Sequence, residues 1–256
     1  MKVLVCLKQV SEPESLFDLM GARLALRVPA RFKLSSYDEH ALEQALRLKD
    51  ARPGLEVWAV SVGPARAAAV LQRARGMGAD QAWHLMAPDE PPPRPAMLAA
   101  WLAAWAAPLG FDLVLTGVMS EDAMQGLVGP MLAARLDVPW TTAAVGLELA
   151  PDGGAVRVER EMEGNQRQRL ELPLPALVSV QSSPVQPRYP SLSNLLRAKQ
   201  APAPSLAASD LATPAAGEEV AGLDLPRRSR AGIVLSGGRA EQAARLADML
   251  RERALL

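Results

Sequence analysis

The sequence predicts an α/β fold with a doubly wound, mostly parallel sheet, to which an antiparallel hairpin and an extended C-terminal arm are added. Three observations predict it. Short apolar runs alternate with segments of helical periodicity up to about residue 136, the pattern of a parallel sheet covered on both faces. From residue 140 the chain turns to strand-like runs separated by Pro151-Asp152-Gly153-Gly154 and Glu163-Gly164-Asn165, turn chemistry that suits antiparallel pairs. Residues 183–238 are rich in Pro, Ala and Ser with little periodicity, so they read as an arm that cannot bury itself and wraps a partner. The expected organisation is a core over 1–182, the arm over 183–238 and a docking helix over 239–256.

A chain of 256 residues with 49% hydrophobic content can bury a full core as one body with extensions. Lys plus Arg and Asp plus Glu both number 28, so no global field draws nucleic acid or an anionic membrane, and any nucleotide must be held locally. The single cysteine, Cys6, cannot form an internal disulfide and lies in the apolar run Val3-Leu4-Val5-Cys6-Leu7, which fits a small buried residue in a reducing compartment. The start enters a strand pattern without a leader, so a cytoplasmic protein is expected.

Residues 2–9 predict a buried strand. After an irregular stretch, Glu39 to Lys49 carries apolar positions at helical spacing. Glu56 to Val62 is a second strand, and Gly63-Pro64 turns into a helix over about 65–77 that Gly76 and Gly78 end. A short strand from Gln81 to Leu85 precedes the Ala/Trp run Ala96 to Ala107. A membrane span needs roughly 20 apolar residues, and this run is closed by Pro108, so it reads as a core helix. The strand Asp112 to Gly117 and a helix over about 125–136 complete the alternation. The strands Thr141 to Leu149, Val156 to Arg160 and Arg169 to Leu172 form the antiparallel part, Ala176 to Val180 is another buried strand, and about 240–252 is helical.

Ligands of an open parallel sheet bind beyond the carboxyl ends of its strands. Four segments qualify: Cys6 to Gln9, Ser35 to Asp38, Ser61 to Gly63, and Gly117 to Val128. In the last, a polar loop passes from a strand into a helix, whose first N–H groups could hold a phosphate; a plain connection with glycines packing closely is the other reading. Neither GxGxxG nor GxxxxGK[ST] is present. Catalytic groups are sparse. His40 and His84 read as structural, no spacing resembles a metal site, and Glu159, Glu161 and Glu163 match the solvent face of a hairpin. No catalytic residue is expected.

Taken in order, several runs resemble the electron-transfer flavoprotein β family over nearly the whole chain. They are Met1 to Gln9, Tyr37-Asp38-Glu39 leading to Ala45 to Lys49, Val60-Ser61-Val62-Gly63-Pro64, Met77-Gly78-Ala79-Asp80, Asp112 to Gly117, Arg160-Glu161-Met162-Glu163-Gly164 and Pro187 to Lys199. The resemblance implies an adenine-nucleotide α-hydrolase-like, Rossmann-like core. It also implies an α-subunit partner that holds most of an FAD, a buried AMP in this chain, and a carrier that moves electrons from dehydrogenases to an acceptor. The AMP positions it implies are Cys6, Ser35, Ser36, Tyr37, Asp38, Val62, Gly117, Val118, Met119, Ser120, Glu121, Asp122, Ala123, Met124, Gln125, Gly126, Leu127 and Val128, which fall on the four strand-end segments.

The pattern departs from the family in places. Many AMP-binding members carry Asn-Gln-Thr-Gly where this chain has Gly126-Leu127-Val128-Gly129, so Val128 replaces a hydroxyl. Flavin-bifurcating members hold a second FAD here; their Val-Gly-Pro is matched by Val128-Gly129-Pro130, their Asp-Gly-Asp-Thr only in part. The first loop, Ser11 to Ser15, lacks the aromatic residue that relatives place near the flavin. Arg188, Tyr189 and Leu192 in the loop 187–200 match the segment through which relatives dock a flavin dehydrogenase, Leu192 being the anchor. Leu192, Leu195 and Leu196 could instead pack a short helix onto the body. Arg197 and Gln200 stand where relatives carry modified lysines. Two rival functions remain, a nucleotide-binding stress or signalling protein without flavin, and a hydrolase or transferase using Asp38 and Asp122.

Overall fold

The computed structural model describes residues 1–12, 17–20, 23–26, 31–211 and 232–255. Pro13 to Ser15 of the first loop and arm residues 212–231 lie outside the described residues.

Among the described residues, nine strands form one sheet in the order β11-β10-β9-β12-β8-β1-β6-β7-β13. Its centre is β1 (Lys2–Leu7), flanked by β6 (Glu56–Gly63) and β8 (Leu113–Gly117), and all three run parallel. Beyond them β12 (Ala176–Val180) and β7 (Gln81–Met86) are also parallel. β9 (Trp140–Leu149) pairs parallel with β12 and antiparallel with β10 (Ala155–Met162), which pairs with β11 (Gln166–Pro173). The change of direction follows the change of sequence pattern, because short turns join antiparallel neighbours and helical crossovers join parallel ones.

Both faces of the parallel part are covered. Val3 and Val5 of β1, Leu115 and Val178 pack under α1 (Ser36–Ala51) and α2 (Ala68–Met77) with Leu42, Leu46 and Leu71. Leu4, Val60, Val114 and Leu177 face α3 (Pro95–Ala106) and α4 (Val128–Leu136), against Trp101, Trp105 and Leu132. Successive residues point to opposite faces, so a strand buried on both sides must be apolar throughout. The Ala/Trp run is α3: its Trp105 ring lies 5.9 Å from Trp83 and 6.0 Å from Phe111. No helix among the described residues is long and apolar enough to cross a membrane.

Two parts differ from the sequence expectation. The irregular stretch after β1 contains two small antiparallel pairs, β2 (Gln9–Ser11) with β5 (Phe32–Leu34), and β3 (Phe17–Met20) with β4 (Arg23–Leu26). Strands of three or four residues give too few alternations to register as a pattern. Within the span read as an arm, α5 (Leu192–Gln200) packs on α2, and β13 (Ser205–Ala207) closes the sheet edge by parallel pairing with β7, Leu206 opposite Leu85. Main-chain hydrogen bonds define so short an edge strand. The last helix, α6 (Arg239–Glu252), follows the predicted bounds and has no buried residue.

Candidate functional site

The carboxyl ends of β1, β6 and β8 and the head of α1 meet at one place. Ser35 enters α1 with its N–H donating to Lys8 O at 3.0 Å, which sets the helix start against the end of β1. Three residues on, the buried Asp38 carboxylate ties two strands together: Oδ2 accepts the Lys8 N–H at 2.7 Å and Oδ1 the Gly117 N–H at 2.8 Å. Burial pushes the Asp38 carboxyl up to about 7, against the Lys8 and Gly117 N–H groups and the Lys8 ammonium, with the Glu121 charge adding to the rise. A side chain at Gly117 would meet Asp38 Oδ1, and would stand 2.8 Å from Tyr37 Cβ, so only glycine fits.

From Gly117 the chain leaves β8 as a loop strapped down by two ion pairs. Lys8 Nζ donates to Asp122 Oδ1 at 2.6 Å, and Lys33 Nζ stands 3.1 Å from Glu121 Oε2. Glu121 Oε2 also accepts the Ser36 N–H at 3.1 Å. Partial burial works against the charge on Glu121, but the bonds from Ser36 and Lys33 hold its carboxyl below the usual range. Val118 N–H donates to Val180 O, Ser120 N–H to Gln125 O, and Met124, with φ 51, turns the chain back. Asp122, Ala123, Met124, Gln125, Gly126 and Leu127 are exposed, while Met119 is half-buried.

The following helix begins at Val128, three residues later than the sequence suggested. At Gly126 a Cβ would lie 2.7 Å from Val118 O, so that residue is committed to the loop's close approach and not to the helix. The first-turn N–H groups of Val128 and Gly129 have no partner within the helix, and Pro130 contributes none. Gly129 lets α4 approach the sheet, where a Cβ would stand 2.9 Å from Thr116 Oγ1; that hydroxyl bonds Ser179 Oγ at 2.9 Å.

Cys6 and Val62 lie on the α3/α4 side of the sheet together with Val128. Burial, then the Asp38 charge, raises the Cys6 thiol far above its ordinary value, so it is a neutral apolar wall. Ser35 Oγ and Ser61 Oγ are buried without a hydrogen-bond partner, and Ser35 caps α1 without a side-chain bond. Buried hydroxyls are normally satisfied, so the Ser35 orphan beyond the end of β1 marks a place where another group belongs, whereas Ser61 alternates with Val62 in β6 and turns to the α1/α2 face. Lys8 and Ser61 fall inside two of the four strand-end segments but not among the AMP positions that the resemblance implied, and Lys33 lay outside both.

The histidines and Glu159 make contacts within the chain. His84 is buried with Nε2 3.0 Å from Gly63 O, and burial lowers its pKa despite that bond. His40 Nδ1 accepts the Ser183 N–H. On the hairpin face, Glu159 pairs with Arg167 at 2.5 Å and Arg169 at 3.3 Å.

Away from the strand ends, α5 separates its leucines by face. Leu195 and Pro190 pack on Gly76 of α2, where a Cβ would lie 2.8 Å from Pro190 Cβ, and Ala198 is buried. Leu192 is 73% and Tyr189 90% exposed, so neither is the residue that packs α5 on the body. The Arg188 guanidinium is engaged inside the chain by Glu43 and Asp50.

A family model, the electron transfer flavoprotein domain, matches residues 27–211. The chain belongs to the electron transfer flavoprotein family. It is 34% identical over 230 residues to the electron transfer flavoprotein subunit beta of Bacillus subtilis (strain 168), covering 88% of each chain. To the mitochondrial electron transfer flavoprotein subunit beta of Oryza sativa subsp. indica it is 32% identical over 240 residues, 92% of this chain and 94% of the relative. The Homo sapiens electron transfer flavoprotein subunit beta is 35% identical over 172 residues, 66% of each chain. In this family member, the strapped loop and the exposed face of α5 both fall within the matched residues.

Proposed function

We propose that this chain works in the cytoplasm as the β subunit of a heterodimeric electron transfer flavoprotein, and that its strand-end pocket holds AMP. The observation that carries the pocket is the orphaned buried hydroxyl of Ser35, where α1 starts beyond the end of β1, together with the open first turn of α4. An adenine nucleotide fits this donor set. A polar edge would satisfy the Ser35 hydroxyl, and its phosphate would take the Val128 and Gly129 N–H groups, which favour an anion at a helix start. Lys8 and Lys33 are already neutralised by Asp122 and Glu121, so backbone donors hold the phosphate in place of the hydroxyl that Val128 lacks. Cys6 and Val62 supply the apolar wall.

The FAD shared with the α subunit supplies the redox chemistry; this chain positions it and presents a docking face. Leu192, with Tyr189 and Leu196, forms an exposed apolar patch that suits a pocket on a flavin dehydrogenase. The test is to purify the chain with its α subunit, denature the complex, and count the released nucleotides by chromatography and absorbance. One FAD and one AMP per heterodimer is the expected result. Two FAD would replace AMP in the pocket by a second flavin, and no complex with any nucleotide would overturn the reading.

A further inference from the structure

Between β12 and α5 the chain crosses α1 and is tied to it at successive points. Gln44 Nε2 donates to Ser183 Oγ at 3.0 Å, and the Ser183 N–H donates to His40 Nδ1 at 3.4 Å. The Arg188 N–H then donates to Glu43 Oε2 at 3.0 Å. Its guanidinium closes on the same carboxylate, with Nε 3.0 Å from Oε2 and Nη2 3.0 Å from Oε1, and Nη2 also reaches Asp50 Oδ2 at 2.7 Å. Glu43 and Asp50 stand two turns apart on one face of α1, which only a long planar fork can bridge.

The Glu43 side chain is 6% exposed, so truncating the Arg188 side chain leaves a buried carboxylate without its fork and with only the main-chain N–H of residue 188 as donor. The hydrogen bonds to Glu43 and Asp50, with the charges of those two carboxylates, raise the Arg188 pKa against partial burial. Directly after this clamp come Tyr189 and Pro190, and then α5, bolted to Gly76 by Leu195. Leu192 and Leu196 are left facing outward.

We infer that Arg188, acting through Glu43 and Asp50, is a positioning residue that fixes the path of the docking segment and presents Leu192, without touching the partner itself. The inference rests on the docking reading above. Rigid presentation lowers the ordering cost of binding, so its loss shows in the partner concentration needed and not in the maximal rate.

The experiment uses the full heterodimer carrying Arg188→Ala, Arg188→Lys or Leu192→Ala. Two quantities are read: amide hydrogen exchange of peptides over 186–200, and the rate of reduction against the concentration of the flavin dehydrogenase that reduces the wild type. Arg188→Ala should speed exchange over 186–200 by roughly tenfold or more and raise the half-saturating dehydrogenase concentration by a similar factor, the maximal rate staying near wild type. Arg188→Lys, which keeps charge but not the fork, should fall between. Leu192→Ala should raise the half-saturating concentration with exchange unchanged. Wild-type exchange in Arg188→Ala would overturn the inference, and weakened docking with wild-type exchange would mean that Arg188 touches the partner directly. Transfer that Leu192→Ala leaves unchanged would sink the docking reading, and this use of the clamp with it, even where exchange responds to Arg188.

Discussion

Asp38 and Gly117 hold each other in place: the carboxylate accepts the glycine N–H at 2.8 Å, and the space it occupies is the space a side chain at 117 would need. Because the other carboxylate oxygen takes the Lys8 N–H, one side chain on α1 joins the ends of β1 and β8 where the strapped loop departs. The geometry of these strand ends therefore depends on a group that burial shifts toward neutral pH.

Stability should fall with rising pH through Asp38. Burial lifts its carboxyl to about 7 from an ordinary 3.8, so the folded state binds the proton more tightly than the unfolded chain. The contribution is full below about pH 4 and is lost as pH rises through about 7. Urea unfolding of the wild type and Asp38→Asn across that window should give a stability difference that declines with pH. A difference that instead grows with pH would show the Lys8 and Gly117 N–H donors outweighing burial.

Gly117→Ala should destabilise the fold by about 1–3 kcal/mol through the forced shift of Asp38 and Tyr37, and should lower the nucleotide retained on purification. Gly146→Ala is the control: a Cβ there meets nothing nearer than Glu159 Cβ at 3.9 Å. It should stay within about 0.5 kcal/mol of wild type. Equal effects in the two variants would remove the argument for a special fit at 117.

The leucines of α5 should separate stability from docking. Leu195→Ala removes the contact with Gly76 and should cost about 1–2 kcal/mol for a half-buried leucine. Leu192→Ala should change stability by less than about 0.5 kcal/mol while slowing transfer from the dehydrogenase at low concentration. Thermal unfolding and transfer rates measured on the same preparations decide the matter; a Leu192→Ala that unfolds as readily as Leu195→Ala would contradict the exposed placement.

The parallel core was legible because β1, β6, β8 and β12 are buried on both faces and must be apolar along their whole length. The antiparallel part was legible from its turns. The pairs β2 with β5 and β3 with β4, and the edge strand β13, were not, because three or four residues carry no period and are fixed by main-chain bonding to distant partners. The start of α4 was misplaced by three residues, since Gln125 to Leu127 have no breaker among them beyond Gly126. What holds them out of the helix is the approach of Gly126 to Val118 O, a contact across the loop.

By itself the sequence determined the order of the core strands and helices, the strand ends at which a nucleotide could sit, and the family runs that pointed to a flavoprotein subunit. Those depend on local periodicity and on residue identity, which a linear reading contains. Only the tertiary structure decided that Lys8 and Lys33 strap the loop, that Ser35 and Ser61 keep unpartnered hydroxyls, and that Arg188 turns inward to Glu43 while Leu192 faces out. Arg188 and Glu43 lie 145 positions apart in the chain, and no local pattern can state which of many acids a distant arginine will meet once the chain has crossed α1.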